Sequence, residues 1–256
     1  MNTFGKLFAL FLVGALCTTV SADLITYGDY EVTTVTFLNV AEDGILVSTN
    51  PEVRQPLFGT PTGPDNSLLF NPVSFGAYST GSNSNSVDGR LELEIEADPG
   101  YGLLGVEFRE SGDYAFVGTG TSNTSVSANL SVFISVEEVN GLPITDPLNP
   151  AYGISFAQTM FSIDLSQGSL DGTWANQVFS NFYGILDPGD AITKVSVVLD
   201  NTLNASSEAG TESLIHKKMF LIKAYTGEAS YVPEPSTIVL MGLGALSLLF
   251  FRRKTK

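Results

Sequence analysis

The residues of this chain whose types and spacing could do chemistry fall into two groups, and the catalytic group is thin. His216 is the single histidine, set between Ile215 and Lys217 on an expected strand, where a surface or edge role is favoured over a general base. There is no Gly-x-Ser-x-Gly elbow, phosphate-binding loop or His-Glu-x-x-His. Carboxylates abound, but in so acidic a chain any two neighbour each other, and their pairing is poor ground for glycoside hydrolysis. Asp171, Asp187, Asp190 and Asp200 stand in turn regions as oxygen donors suited to calcium, with Asp187 and Asp190 foremost. No Asp-x-Asp-x-Asp loop accompanies them, and solvated turn carboxylates are the simpler account. The expectation is no enzyme, no catalytic residue and no cofactor, with calcium kept open.

The second group is built for processing. Val232, Pro233, Glu234, Pro235 and Ser236 precede an apolar run from Ile238 to Phe251, closed by Arg252, Arg253 and Lys254. The prolines fix φ and remove backbone donors, so this stretch stays extended and accessible to an enzyme before any helix begins. Fourteen apolar residues cover ~21 Å at the helical rise, short of the ~30 Å hydrocarbon core. Adding Val232 to Thr237 gives twenty residues, which can just span. Gly242, Gly244 and Ala245 form a small-residue face of the kind membrane helices tolerate. The basic end stays cytoplasmic by the positive-inside rule, which places everything upstream outside.

These features together resemble the PEP-CTERM sorting tail of Gram-negative bacteria. The resemblance implies recognition by an exosortase, a membrane-embedded cysteine protease or transpeptidase, and delivery of the carrier to the cell surface or extracellular polysaccharide. The same tail also goes under the name of an ice-binding protein C-terminal domain. Ice binding would call for regular Thr-x-Thr ranks, and Thr33, Thr34 and Thr36 are the only near approach. Glu96 to Tyr114 is similar to a strand, turn, strand, Gly-Asp-Tyr passage in other exported β proteins bearing this tail, which implies a shared sandwich without an activity.

The other end agrees. Lys6 supplies a positive charge, Leu7 to Leu16 an apolar core of secretory length, and Val20-Ser21-Ala22 a small-residue cleavage site, so the mature chain starts at Asp23. Leu16 before Cys17 is the wrong neighbour for a lipoprotein signal. Loss of this peptide removes the one cysteine, leaving no disulfide and no thiol chemistry. From Asp23 to Pro235 seven basic residues face all 27 acidic ones, a net charge of −20. Such a field repels nucleic acid and anionic lipid; cations, basic proteins and neutral or basic glycans remain open as partners.

The elements that must carry these segments are strands. In Arg90 to Ala97, Leu91, Leu93, Ile95 and Ala97 face one way and Glu92, Glu94 and Glu96 the other. Val126, Ala128, Leu130, Val132, Ile134 and Val136 repeat the pattern opposite Ser127, Asn129, Ser131 and Ser135. Further strands are read at 31–40, 44–49, 103–109, 114–118, 152–164, 192–200 and 213–225. Asp98-Pro-Gly100, Ser111-Gly-Asp113 and Asp187-Pro-Gly-Asp190 read as turns. Residues 50–64 and 79–86 read as surface loops. Thr173 to Leu186, with Trp174, Phe179, Phe182 and Tyr183, reads as a short helix or aromatic loop; core packing is favoured over a sugar-stacking platform. Asn123, Asn129 and Asn204 head Asn-x-Ser/Thr triplets that a Gram-negative envelope need not glycosylate.

The expected class is therefore all-β, an antiparallel β-sandwich of jelly-roll or immunoglobulin-like type. Its expected organisation is signal peptide 1–22, exported domain 23–226, linker 227–231 and sorting tail 232–256, with a transmembrane helix at about 233–251. The expected function is a non-enzymatic surface or matrix protein associated with exopolysaccharide or biofilm, with the inner membrane and exosortase as partners in transit. A glycan- or calcium-binding module is the alternative.

Overall fold

The computed structural model describes residues 24–47, 50–144, 155–182 and 189–229. Its strands are β1 (Ile25–Glu31), β2 (Val35–Glu42), β3 (Ile45–Val47), β4 (Asn50–Gln55), β5 (Ser67–Phe70), β6 (Gly76–Thr80) and β7 (Ser84–Ala97). They continue as β8 (Tyr101–Val117), β9 (Ser125–Val139), β10 (Leu142–Pro143), β11 (Ser155–Asp164), β12 (Asp171–Asn181), β13 (Ile192–Ser206) and β14 (Glu212–Glu228). Apart from one 3-10 turn at Leu165–Gln167, the regular structure described is all β.

Every pairing is antiparallel, and twelve strands join one curled sheet consistent with a sandwich. One leaf runs β1, β2, β7, β13, β9, β11, with β10 also on β9; the other runs β12, β8, β14, with β5 and β6 side by side along β14. A single rung, Ile192 to Leu103, links the leaves. β3 and β4 form a separate ribbon.

The alternation drives this closure. Leu91, Leu93 and Ile95 are buried while Glu92, Glu94 and Glu96 stay half-exposed, as the sequence predicts. Each such aliphatic side chain contributes roughly 1.5–3 kcal/mol when fully removed from water. At one end Phe58 packs edge to face on Phe70, Phe75 and Phe220, and Phe70 lies tilted on Phe220, with centroids 5.2–6.0 Å apart.

Several expectations are corrected. Ser111-Gly112-Asp113 is no turn: it lies inside the seventeen-residue β8, and Gly112 is there because a Cβ would sit 1.8 Å from the His216 carbonyl oxygen on the neighbouring strand. Thr173–Asn181 is neither helix nor loop but most of β12, paired along β8. The stretch 50–64 is not simply a surface loop, for β4 occupies its start and Leu57 and Phe58 are buried as a lid on the core. Of 79–86, Ser79 is buried in β6 and Ser84 begins β7, so the turn narrows to its middle. The expected strand at 31–40 breaks at residues 32–34. Among the described residues no helix is long and apolar enough to cross a membrane; the segment expected to do so, at about 233–251, lies outside them.

Candidate functional site

The sequence-selected residues do not converge. Ala22 and Asp23, Asp187, the motif Val232 to Ser236 and Arg252 to Lys254 all lie outside the described residues. Asp190 is exposed and accepts a 2.6 Å hydrogen bond from the Asn140 side chain. Asp171 is the first residue of β12, and Asp200 lies on the open face of β13 opposite Arg90 and Ser131 rather than in a turn. No group of three or more His, Cys, Asp or Glu side chains that could hold a metal ion occurs among the described residues. His216 sits half-exposed on a strand paired on both sides, its Nδ1 3.6 Å from Asp113. Trp174 is a core residue: buried, ring-stacked on Phe161 at 6.0 Å, with its indole donating to the His216 carbonyl at 3.1 Å.

What register does assemble is the outer face of the leaf formed by β7, β13, β9 and β11. Cross-strand ranks run Ser84, Ser206, Ser125, Asp164; then Ser86, Asn204, Ser127, Ser162; then Asp88, Thr202, Asn129, Met160. The next ranks are Arg90, Asp200, Ser131, Gln158 and Glu92, Val198, Phe133, Phe156. Short hydroxyl and amide side chains thus cover one end, with a shallow hollow of about 160 Å³ between Ser84, Ser125 and Asn204. At the other end Phe133 and Phe156 lie 4.9 Å apart at 42°, and Phe156 and Met160 are more than half exposed. The serine and asparagine phase was legible in β9; the aromatic pair was not, because Phe133 and Phe156 meet only through the β9–β11 register.

Three buried carboxylates, Glu42, Glu110 and Glu107, went unseen in the sequence. Glu42, 1% exposed, accepts backbone N–H bonds from Leu57 at 2.7 Å, Phe58 at 3.0 Å and Gly59 at 3.1 Å, plus the Tyr27 hydroxyl. Burial and this carboxylate push the Tyr27 phenol well above its ordinary pKa. Glu110 lies between the leaves. It accepts from Asn176 Nδ2 at 2.8 Å and from Asn201 Nδ2, and Lys217 Nζ lies 2.7 Å from the same Oε2 that Asn201 contacts. Lys217 is 1% exposed, and burial lowers its pKa against the opposing pull of Glu110. The signal was phase: Lys217 follows Ile215, and Glu110 follows Phe108, at positions the alternation turns inward.

On the outer face of the second leaf Glu107, 2% exposed, is held by Arg109 at 2.6 Å, Tyr225 at 2.7 Å and Gln177. Burial alone would raise its pKa, but the hydrogen bonds from Tyr225 and Arg109 outweigh it and hold the carboxyl below its ordinary value.

Comparison with known proteins places the chain by its tail. Residues 232–254 match the PEP-CTERM protein-sorting motif. The chain thus carries a PEP-CTERM sorting motif at its tail, and that signal implies export, membrane-anchored transit and targeting to an exosortase. No curated protein matches the sequence. Among solved structures, TmCBM61 in complex with β-1,4-galactotriose is similar over 72% of this chain and 81% of its own, at 11% identity and TM-score 0.22. The bacteriophage CBA120 tailspike protein 4 enzymatically active domain is similar over 79% and 19%, at 13% identity and TM-score 0.20. The Broad Bean Stain Virus structure is similar over 72% and 97%, at 8% identity and TM-score 0.24. Likenesses this distant assign neither a fold family nor a ligand.

Proposed function

We propose that this protein is a non-enzymatic component of the cell surface or extracellular matrix, released there by exosortase after transient anchoring through a helix at about 233–251. The sorting-motif match at 232–254 carries the reading. A jelly-roll or immunoglobulin-like sandwich starting at 23 is its cargo; because β14 stays paired to Glu228, the sandwich runs past the expected 226 boundary and the linker to the tail begins after β14 rather than at 227. Replacing Pro233 and Pro235 with alanine leaves the apolar helix intact, since alanine is the better helix former. Export should then survive while release stops, and the variant accumulates in the inner membrane with Lys256 attached. Recovery of an intact Lys256 from wild-type surface material overturns the processing step.

Association with exopolysaccharide or another surface glycan is the role proposed for the cargo, and the Phe133–Phe156 pair beside hydroxyl and amide ranks supports it. Pyranose rings stack their C–H faces on aromatic surfaces while their hydroxyls need short polar partners. A glycan array probed with the released protein tests this, with and without calcium. A signal lost on Phe156→Ser is expected; no signal in either condition removes the glycan reading and leaves the sorting reading standing.

A further inference from the structure

The quartet between the leaves has more nitrogen donors than an ordinary ion pair needs and still leaves two atoms without hydrogen-bond partners. These are Lys217 Nζ and Asn201 Oδ1, both buried. Nζ is close enough to Glu110 Oε2 to count as an ion pair but lacks the alignment of a hydrogen bond to it. One orphan is an amine, the other the carbonyl oxygen of an amide, and a single carboxylate oxygen touches the side chains of both.

We propose that Lys217 and Asn201 join in an intramolecular isopeptide bond, with Glu110 as proton relay, so that β14 is covalently stapled to β13 across the two leaves. Asn201 is the acceptor because it shares Oε2 with Lys217, whereas Asn176 sits on Oε1 and is tied to the Ala128 carbonyl. Phe58, Phe75 and Phe220 surround the ammonium with ring centroids 5.1, 4.5 and 5.1 Å from Nζ, which keeps water from the reacting atoms. Burial lowers the lysine pKa, so transfer of its proton to Glu110 is eased and a free amine becomes available. Fixed neighbours of this kind replace a bimolecular encounter with an intramolecular one.

The step balances. Lys217 gives a proton to Glu110, and rotation of the Asn201 amide turns Oδ1 to the resulting carboxylic acid, which donates to it. Nζ attacks Cγ, the Nζ–Cγ bond forms, and Glu110 carries a proton to Nδ2. Nζ sheds its second proton in the same way, the Cγ–Nδ2 bond breaks, and the nitrogen leaves as ammonia that takes the proton remaining on Glu110 and departs as ammonium, with Glu110 left as the carboxylate it began. No oxidant or cofactor is needed. The exported chain has no cysteine, so this is a covalent link its composition does allow.

The sequence provides its own assay. Between Lys194 and Lys217 there is no lysine or arginine, so trypsin places Asn201 and Lys217 on one peptide. Full-length folded protein should give Val195 to Lys218, uncut after the acylated Lys217, lighter by one ammonia and without backbone fragments between residues 201 and 217. Cleavage after Lys217 with Val195 to Lys217 at its full mass overturns the proposal. An ammonia loss with Lys217 still cleavable is a succinimide at Asn201 and overturns it too, as does a link to Asn176. Asn201→Asp should form the same bond with loss of water instead of ammonia. Glu110→Gln should yield the open peptide from protein that still melts cooperatively; a link formed in that variant overturns the relay.

Discussion

Glu42 and Glu110 are each 1% exposed, and they are accommodated in opposite ways. Glu42 sits at the mouth of the core and is met by three successive backbone N–H groups from 57–59, a local nest that brings its partners together with one turn of chain. Glu110 lies between the leaves and draws its partners from β12, β13 and β14, each presented by a different register. The backbone donors around Glu42 are all used, while the side-chain network around Glu110 leaves two atoms unpaired. Where the chain can satisfy a buried charge with its own amides the donors are all used; where it must use distant side chains, two buried atoms are left without hydrogen-bond partners.

The largest effect expected from breaking this contrast is at Lys217. Lys217→Ala removes the link proposed to Asn201 and, in protein where that link has not formed, leaves Glu110 as an uncompensated buried charge; breaking such a buried pair costs about 3–5 kcal/mol. Chemical denaturation should show the loss as a lower midpoint for the whole domain, because β8, β13 and β14 all carry the network. A midpoint within error of wild type would mean that the quartet is not buried as described.

Glu42→Gln should cost less, about 2 kcal/mol, since an amide oxygen still accepts some of the donors that the carboxylate satisfies. The effect should also be local. Hydrogen exchange is expected to rise at the Leu57 and Phe58 amides, which donate to Glu42, and to stay unchanged in β13. Uniform loss of protection would erase the distinction between a local lid and an inter-leaf network.

The two sites also mark how far the sequence could be read. Apolar phase in β7 and β9 was plain because Leu91, Leu93 and Ile95, or Leu130, Val132 and Ile134, recur without interruption. β12 was missed because Asn176 and Ser180 occupy inward positions beside Trp174 and Val178, and Asn176 is acceptable there through Glu110 and the Ala128 carbonyl on other strands. β8 was split in two because Ser-Gly-Asp is turn chemistry in isolation, whereas here Gly112 answers to the approach of His216. The sorting tail was legible for the converse reason: its prolines, apolar run and basic end are read in sequence order, with no register to solve.

Glu107 is the intermediate case and gives the smallest effect. It is buried like the other two, yet it lies on an outer face and its cationic partner Arg109 is half in solvent. Glu107→Gln keeps a hydrogen-bond acceptor for Tyr225 and is expected to cost at most about 1 kcal/mol at neutral pH, a fall of about 2–4 °C in Tm for a domain of this size. Its pH dependence is the sharper test. The folded carboxyl titrates below its ordinary value, so its stabilisation is present above the ordinary glutamate pKa, where both folded and unfolded chains are ionised. As pH falls through the ordinary value toward the depressed one, the unfolded chain takes up the proton first and the stabilisation is lost. The Tm gap between wild type and Glu107→Gln should therefore close on acidification through that window and stay constant above it. A gap that persists below it would assign the loss to packing against Gln177 and Tyr225 rather than to the charge, and would set Glu107 beside Glu42 as a structural acceptor.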